Sequence, residues 1–301
     1  MTNQVELVEV GPRDGLQLER NIVATADKVE LIERLLDAGV RRIEVTSFVN
    51  PKKVPQMADA ESLLASLRRP EGVYFTGLVL NRKGLDRAIA AGCSEIGMVV
   101  VASDTFNRRN QGVSTEESIE AWLEIARAAT AAGVRAQVTV SAAFGCPFEG
   151  EVPLARVMDV ALRVAEADPY EICFADTIGV GVPAQVSRMV ARARQLLPDR
   201  RLRCHFHNTR NTGIANAMAA VDAGITVLDA SIGGIGGCPF APAATGNIAS
   251  EDLLYMLDRS GIRTGVSLPK MIETARWLEG KLARAVPGML VKAGPFPRAA
   301  A

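Results

Sequence analysis

The sequence has no excess of charge of either sign and no long hydrophobic run. Its 34 lysines and arginines balance 34 aspartates and glutamates, so no basic field exists that would attract a nucleic acid or an anionic membrane surface. The longest strictly apolar runs are short, as at Met98 to Ala102, far below the roughly 20 residues of a membrane-spanning helix. We therefore expect neither a nucleic-acid nor a membrane partner.

Cysteine is scarce, and it occurs without a CxxC pair. The five cysteines are scattered along the chain, which predicts reduced thiols. The N-terminal segment lacks a basic stretch followed by an apolar one, so it does not resemble a secretory signal. Together these two absences predict a cytoplasmic protein.

The 301 residues suffice for two ordinary domains or for one barrel-sized domain. One pattern recurs along them: an amphipathic stretch ends in Ala-Gly and is followed, one or two residues later, by an apolar run rich in Val and Ile. It occurs at Gly39, Gly92, Gly133 and Gly224. Glycine relieves the left-handed position just past a helix, and a continuous apolar run suits a parallel strand buried on both faces.

This repeat predicts eight strands, each followed by a helix. The predicted strands are Glu6 to Val10, Arg42 to Ser47, Tyr74 to Leu80, Ile96 to Val101, Ala136 to Ser141, Glu171 to Ala175, Leu202 to His207 and Val227 to Ser231. Eight strand-helix pairs in about 250 residues match an α/β fold of the (β/α)8 TIM-barrel type. No glycine-rich dinucleotide fingerprint follows the first strand to favour a doubly wound sheet.

The prediction for domain organisation is a single domain over residues 1–301. The barrel occupies about residues 5–262, an additional C-terminal helix packs outside it at about 267–286, and residues 294–301 form a frayed tail. Within the barrel, Ser114 or Thr115 caps a helix that runs from Glu116 to Ala132.

Polar residues follow the strands at their C-terminal ends, where barrels of this kind carry their active sites. His205 and His207 are the only histidines of the chain. At i and i+2 of a strand they project to one face, about 7 Å apart, which suits a shared metal ion. Asp14, directly after the first strand, supplies a carboxylate at the same rim, although Asp-Gly is also a good turn dipeptide.

A glycine-rich loop follows the eighth strand, from Gly233 to Pro242, and we interpret it as a mobile lid over the barrel mouth. Cys238 in this loop is the cysteine that we expect to be exposed and reactive. Asn247 is either a neutral oxygen ligand or the cap of the helix that begins near Ser250, and the local pattern favours the cap.

Several longer motifs identify a family. The most specific ones are VEVGPRDGLQ, IEVTSFVNPKKVPQMAD, FGCPFEG, DTIGVG, HFHNT and GGIGGCPFAPAATGN. With them the sequence resembles the 3-hydroxy-3-methylglutaryl-CoA lyases, within the metal-dependent TIM-barrel superfamily of lyases and Claisen-condensing enzymes. The resemblance covers nearly the whole chain, from about Val5 to Leu282. The cysteine loop with its downstream Asn247 narrows the resemblance to the lyases.

Carried over by position, the resemblance implies an enzyme, a carbon-carbon lyase, with a divalent metal held by Asp14, His205, His207 and Asn247. Carboxylate, imidazole and amide ligands without thiolate suit Mg²⁺ or Mn²⁺, while the two histidines would equally suit Zn²⁺. The implied reaction is a retro-Claisen cleavage of 3-hydroxy-3-methylglutaryl-CoA to acetyl-CoA and acetoacetate. The family also suggests a homodimer.

The resemblance further implies roles for residues around the metal. Arg13 would polarise the thioester carbonyl and the developing enolate, with Glu9 and Glu44 as supporting carboxylates. Cys238 would enter with the closing loop as a candidate acid, and Asp176 would flank the site. Asp14, His205 or a nearby carboxylate are the candidates for the base that takes the hydroxyl proton.

Three arginines on loops, Arg20, Arg108 and Arg109, are candidate contacts for the phosphates of CoA. Departures from the family pattern, such as Leu18 and Arg20 after the first motif, leave the acyl group open. A longer 3-alkylglutaryl-CoA or citramalyl-CoA is therefore an alternative substrate. A Claisen-condensing synthase of the same superfamily and a non-catalytic barrel are the remaining alternatives.

Overall fold

A computed structural model describes residues 3–237 and 246–297, and eight parallel strands in it close into a barrel. Each strand pairs with its neighbours in chain order, and β1 closes the ring against β8. The strands are β1 (Glu6–Glu9), β2 (Arg42–Ser47), β3 (Tyr74–Leu78), β4 (Glu95–Val101), β5 (Arg135–Ser141), β6 (Glu171–Asp176), β7 (Leu202–Phe206) and β8 (Val227–Ala230). The predicted (β/α)8 barrel is confirmed.

Helices surround the barrel and connect its strands. They are α1 (Thr25–Ala38), α2 (Ala60–Ser66), α3 (Arg82–Ala90), α4 (Asp104–Gln111), α5 (Thr115–Ala131), α6 (Leu154–Ala165), α7 (Pro183–Leu196), α8 (Gly213–Asp222), α9 (Ser250–Arg259), α10 (Leu268–Leu282) and α11 (Leu290–Ala293). The predicted outer helix is α10, and the short α4 and α11 were not expected from the sequence. In the described part of the chain, no helix has both the length and the apolar character that a bilayer crossing requires.

The strands are buried on both faces, as their composition predicts. In β2 and β6 every residue is buried, because the inner face fills the barrel and the outer face packs against helices. Apolar side chains such as Ile43, Val45 and Ile172 make up most of this core. Long runs of Val and Ile therefore form strands here without the alternation of polar and apolar residues that marks a half-exposed sheet.

The ends of the helices also follow the sequence pattern. Gly39, Gly92, Gly133 and Gly224 all have φ between 73° and 103°, a region that residues with a Cβ rarely adopt. At the other end of α5, the Ser114 hydroxyl accepts a hydrogen bond from the Glu117 amide, and the Glu117 carboxylate accepts one from the Ser114 amide. This reciprocal capping box confirms Ser114 as the cap.

A network of buried charges fills the N-terminal end of the barrel, and we call it the floor network: Arg42, Glu95, Glu171 and Arg203. Arg42 lies 3.2 Å from Glu95 and 3.1 Å from Glu171, and Arg203 lies 3.2 Å from Glu171. Three of the four are the first residues of β2, β4 and β6, because alternate strands contribute the side chains of one interior layer.

Candidate active site at the C-terminal rim

The loop after β1 carries Arg13 and Asp14 to the C-terminal rim of the barrel. Val10 follows β1, which ends at Glu9 and not at Val10 as predicted, and its carbonyl accepts hydrogen bonds from the amides of Arg13, Asp14 and Gly15. Residues Gly11–Gly15 therefore wind into a single turn of π-helix, with Pro12 at its start. This tight turn presents two adjacent charged side chains at the point where β1 lies against β8.

Asp14, His205 and His207 converge in one cluster. One ligand atom from each lies within 4.8 Å of the others. The two imidazole rings are 5.1 Å apart between centroids, while Phe206 between them turns into the hydrophobic core, as the alternation of side chains on an extended chain requires. His207 was predicted as the last residue of β7, but the strand ends at Phe206 and His207 pairs instead with Asn247 in an isolated bridge.

Asn247 joins this cluster from the loop after β8. Its side-chain amide donates hydrogen bonds to Asp14 at 2.9 Å and to the Ile235 carbonyl at 3.1 Å. Its Oδ1 is buried and has no hydrogen-bond partner within residues 3–237 and 246–297. The interpretation of Asn247 as a helix cap is wrong, because α9 begins at Ser250 after Ala249 and has no side-chain cap.

Glycine is required beside Asn247. Gly236 has φ of 120°, and a Cβ built on it would lie 2.6 Å from Nδ2 of Asn247. Any larger residue at this position would therefore both strain the backbone and displace the asparagine amide. This explains one glycine of the loop that the sequence alone suggested only as a source of flexibility.

The cluster holds one anionic and one neutral group at neutral pH. Burial alone would raise the pKa of Asp14, but Arg13 and the two histidines outweigh it and lower the pKa. Burial, reinforced by the neighbouring His205, lowers the pKa of His207 to about 3. A carboxylate and a neutral imidazole are the protonation states that a metal ligand needs.

The unpaired atoms in this cluster test whether it fits a cation. Among the residues that the structure describes, His207 Nδ1 and Asn247 Oδ1 are both buried without hydrogen-bond partners, a costly arrangement unless another group binds there. A neutral imidazole offers one nitrogen lone pair and an amide offers its oxygen, so with Asp14 these side chains form a set of oxygen and nitrogen donors. The residues present therefore fit a divalent cation of intermediate or hard character.

Arg13 lies beside the cluster between two carboxylates. Its guanidinium donates to Asp14 at 2.8 Å and to Glu44 at 2.6 Å, while its buried Nε has no partner. Burial would lower the pKa of Arg13, but the charges of Glu44 and Asp14 outweigh it and raise the pKa. The structure thus holds a permanent positive charge in a fixed orientation next to the candidate metal centre.

Glu9 does not support Arg13 as expected. Its carboxylate is fully buried and accepts hydrogen bonds from the Gly11 and Ile232 amides, both at 2.8 Å, and from the Ser250 hydroxyl. These contacts correct the predicted pairing, because they fix Glu9 to the root of the loop after β8 instead of to the arginine. Glu9 therefore joins the loops after β1 and β8.

Asp176, at the end of β6, also binds a loop. Its carboxylate accepts hydrogen bonds from the Val180 and Gly181 amides, both at 2.9 Å. Burial raises the pKa of Asp176, while these amides and His205 act in the opposite direction. Asp176 thus flanks the cluster near His205 and shapes the loop after β6.

The remaining predicted site residues lie on the periphery or outside the described chain. Arg108 pairs with Asp104, and Arg109 lies over the ring of Phe148 at 4.1 Å. Arg20 is exposed between the first turn and α1. Cys238 lies outside the described residues.

Sequence reasoning missed two interior residues, Asp229 and Arg203. Asp229 lies in β8, 3.2 Å from Nδ1 of His205 and 3.3 Å from Arg203. The available signal was a lone aspartate inside the otherwise apolar strand VLDA, because a buried carboxylate requires a partner.

Comparison with known proteins agrees with this geometry. The family model described as HMGL-like matches residues 4–278. The chain is 44% identical to the (R)-citramalyl-CoA lyase of Chloroflexus aurantiacus, over 97% of this chain and 95% of that protein. It is also 44% identical to the mitochondrial hydroxymethylglutaryl-CoA lyase of Bos taurus, over 91% of this chain and 85% of that protein.

Solved structures of similar proteins share the whole architecture. The HMG-CoA lyase of Bacillus subtilis superposes with a TM-score of 0.94 at 39% identity, covering 97% of this chain and 99% of that one. An HMG-CoA lyase from Acinetobacter baumannii, in complex with coenzyme A and 3-methylmalate, superposes with a TM-score of 0.95 at 37% identity, covering 99% and 98% of the two chains. The described barrel is therefore preserved at nearly full length in both.

Proposed function

Because the chain belongs to the HMGL-like family, we propose that it cleaves 3-hydroxy-3-methylglutaryl-CoA to acetyl-CoA and acetoacetate. The observation that carries this proposal is the placement of a paired, charged Arg13 directly beside the cluster of Asp14, His205 and His207. A retro-Claisen cleavage needs such a pair of sites, because it develops negative charge on two separate oxygens.

The first oxygen is that of the substrate hydroxyl. A base takes its proton, for which Asp14, His205 or a nearby carboxylate are the candidates. The neighbouring C–C bond then breaks, and the oxygen becomes the carbonyl of acetoacetate. Asp14, His205, His207 and Asn247 would hold Mg²⁺ or Mn²⁺, which supplies Lewis acidity toward this hydroxyl when bound. Zn²⁺ is the alternative ion, because it also binds two imidazoles together with a carboxylate.

The second oxygen is that of the acetyl thioester, which receives the electron pair as an enolate. The Arg13 guanidinium stabilises this enolate, since a preorganised charge is most effective where charge develops. Asp14 and Glu44 hold the guanidinium in place from two sides. Protonation of the enolate carbon then completes acetyl-CoA, and Cys238 is the proposed acid.

The substrate's CoA moiety would lie along the same rim. Arg20, Arg108 and Arg109 are the proposed contacts of its phosphates, because all three are exposed and follow β1 or β4 at the C-terminal edge. An exposed guanidinium that pairs only with a surface carboxylate, as Arg108 does with Asp104, exchanges that partner for a phosphate at little cost.

The decisive experiment is a product assay with purified protein, Mg²⁺ or Mn²⁺ and a thiol reductant. We expect acetyl-CoA and acetoacetate to appear in equal amounts from 3-hydroxy-3-methylglutaryl-CoA, and neither to appear after chelation. Arg13→Gln protein is the matched control, because it keeps the metal ligands. Metal-loaded wild-type protein that releases neither product would contradict the proposal.

Citramalyl-CoA is the second candidate substrate, favoured by the Chloroflexus relative, whose length the chain covers almost entirely. The same bond cleavage would give acetyl-CoA and pyruvate. Comparing kcat/KM for the two thioesters in one preparation decides between them, since discrimination between substrates is a ratio of these constants. We expect the higher value for 3-hydroxy-3-methylglutaryl-CoA, and a reversed ratio would assign the citramalyl activity instead.

We further propose that the protein acts in the cytoplasm as a homodimer. The scattered cysteines without a pairing motif support the reducing compartment. Sedimentation of the purified protein measures the assembly, and a mass of one chain over a wide concentration range would contradict the dimer.

A further inference from the structure

Asp229 connects the candidate metal cluster to the charged interior of the barrel. Its Oδ2 lies 3.2 Å from Nδ1 of His205, and its Oδ1 lies 3.3 Å from a guanidinium nitrogen of Arg203. We propose that Asp229 is a positioning residue for the metal centre. Its carboxylate accepts a hydrogen bond from Nδ1–H of His205 and thereby fixes the tautomer that leaves Nε2 free to bind the ion. This inference rests on the metal site of the proposed function.

The surroundings of Asp229 fix its own orientation. The residue is 4% exposed, so its carboxylate cannot turn into bulk water. Arg203 is equally buried, and Glu171 of the floor network holds it from the opposite side at 3.2 Å. Oδ1 thus lies in an ion pair, without a hydrogen bond among the described residues, beside an arginine that is itself anchored. Oδ2 faces His205 and also has a weak contact with the Cys173 thiol at 4.0 Å.

The two histidines of the motif differ in this respect. Nδ1 of His207 is buried and has no hydrogen-bond partner in the described part of the chain, whereas Nδ1 of His205 has Asp229. The main chain of His207 is fixed by its bridge to Asn247. A carboxylate hydrogen-bonded to a ligating histidine sets the ring orientation and strengthens the ligand. Its loss typically weakens metal affinity by about 10- to 100-fold.

The first test uses wild-type protein without metal and needs no turnover. Because the chain has two histidines, labelling with ¹⁵N-histidine gives two imidazole spin systems, and the His207→Gln variant assigns them. At a pH where both rings are neutral, long-range ¹H–¹⁵N spectra report each tautomer. We expect His205 to be protonated on Nδ1. Protonation of His205 on Nε2 would overturn the proposal.

The second test measures Mn²⁺ binding to Asp229→Asn protein by electron paramagnetic resonance of the free ion. We expect the dissociation constant to rise by about 10- to 100-fold and the His205 spectrum to lose its single tautomer. Glu95→Gln is the matched control, because it removes an equally buried carboxylate of the floor network that does not touch a histidine. Equal dissociation constants for the two variants would refute the role of Asp229.

The outcomes separate this inference from the proposed function. If Asp229→Asn fails to fold, the wild-type tautomer alone decides. If the tautomer and the Mn²⁺ affinities behave as expected but no thioester is cleaved, the lyase proposal fails and the role of Asp229 stands. If the thioester is cleaved but His205 is protonated on Nε2, the lyase proposal stands and the role of Asp229 fails.

Discussion

The two ends of the barrel interior use the same kinds of side chain in different ways. At the floor, Arg42 faces both Glu95 and Glu171, and Arg203 faces Glu171 and Asp229, so each charge meets opposite charges. At the rim, His207 Nδ1 and Asn247 Oδ1 are buried without hydrogen-bond partners among the described residues. Leaving a buried polar atom unpaired is costly. Arg203 Nε and Asp229 Oδ1 in the interior also lack a hydrogen bond within the described chain, but each of these residues lies against an opposite charge. The two neutral rim atoms have no such charge partner in the described part of the chain, which fits the binding of a cation there.

This difference assigns stability to one end and chemistry to the other. A buried network of opposite charges loses stability when one member is removed, since the remaining charge stays uncompensated. Removing one ligand from the cluster at the rim should instead weaken metal binding. The contrast can be tested by changing one residue at a time at each end.

The largest effect is expected at Arg13. Replacing it with glutamine removes the charge that faces the enolate, so we expect kcat to fall by about three orders of magnitude. Asp14, His205 and His207 are untouched, so the Mn²⁺ dissociation constant should stay close to that of wild type. Steady-state kinetics and metal titration of the same preparation measure both quantities. Near-normal turnover would show that Arg13 is not the electrophile.

The floor should respond in stability and not in binding. Glu95→Gln leaves Arg42 and Arg135 without one carboxylate, and we expect a loss of about 3 kcal/mol in the free energy of unfolding. Urea denaturation monitors this loss. The control is Glu30→Gln, which breaks an exposed pair with Arg34 and should cost a few tenths of a kcal/mol, about the worth of a surface pair. If Glu95→Gln protein were as stable as Glu30→Gln protein, the floor network would not be the stabilising end of the barrel.

A smaller effect is expected at Asn247. Alanine there deletes the unpaired Oδ1 from the proposed ligand set, and we expect Mn²⁺ to bind about 10-fold more weakly, which is roughly 1.4 kcal/mol. Asn216→Ala is the matched control, because Asn216 is also buried with an unpaired Oδ1 but lies on α8 and binds the Gly181 carbonyl. Equal metal affinity in the two variants would argue against Asn247 as a ligand.

A further effect, which depends on pH, concerns Glu251, which supports the loop after β8 by accepting a hydrogen bond from the Gly233 amide. Burial raises the pKa of Glu251 to about 8. The folded state therefore binds the proton more tightly than the unfolded state, and its stability declines as the pH rises from the unfolded pKa near 4.5 to about 8. Glu251→Gln should lack this contribution.

Melting temperatures of wild-type and Glu251→Gln protein measured from pH 5 to 8 test this effect. The melting temperature of the variant should rise relative to that of wild type as the pH increases. The exposed Glu273→Gln on α10 controls for the loss of a charge as such. A difference between Glu251→Gln and wild type that does not change with pH would contradict the protonated, buried carboxyl.

Local sequence patterns were sufficient to predict most elements of this fold, though not the short α4 and α11. The runs of Val and Ile, the Ala-Gly endings and the Ser114 cap each predict a structure from a few adjacent residues, and the barrel contains all of them. Asp14 and the two histidines could be placed at one rim for the same reason, since the ends of parallel strands meet at one edge. The errors lay at boundaries, such as the end of β7 before His207.

Contacts between residues on distant strands could not be predicted from the sequence. Glu9 was expected beside Arg13 but binds the amide of Ile232, which is 223 residues away. The local pattern around Asn247 favoured a helix cap, whereas its side chain donates a hydrogen bond to Asp14. Asp229 and the floor network were not foreseen, although they join β2, β4, β6, β7 and β8.

The sequence by itself determined the alternation of strands and helices and the residue types available at the rim, because both depend on short-range spacing and hydrophobicity. Only the closed barrel decided which carboxylate faces which cation, since closure sets the register between β1 and β8 and aims interior side chains from alternate strands at one another. The partners of Glu9, Asp229 and Asn247 are therefore properties of the closed ring.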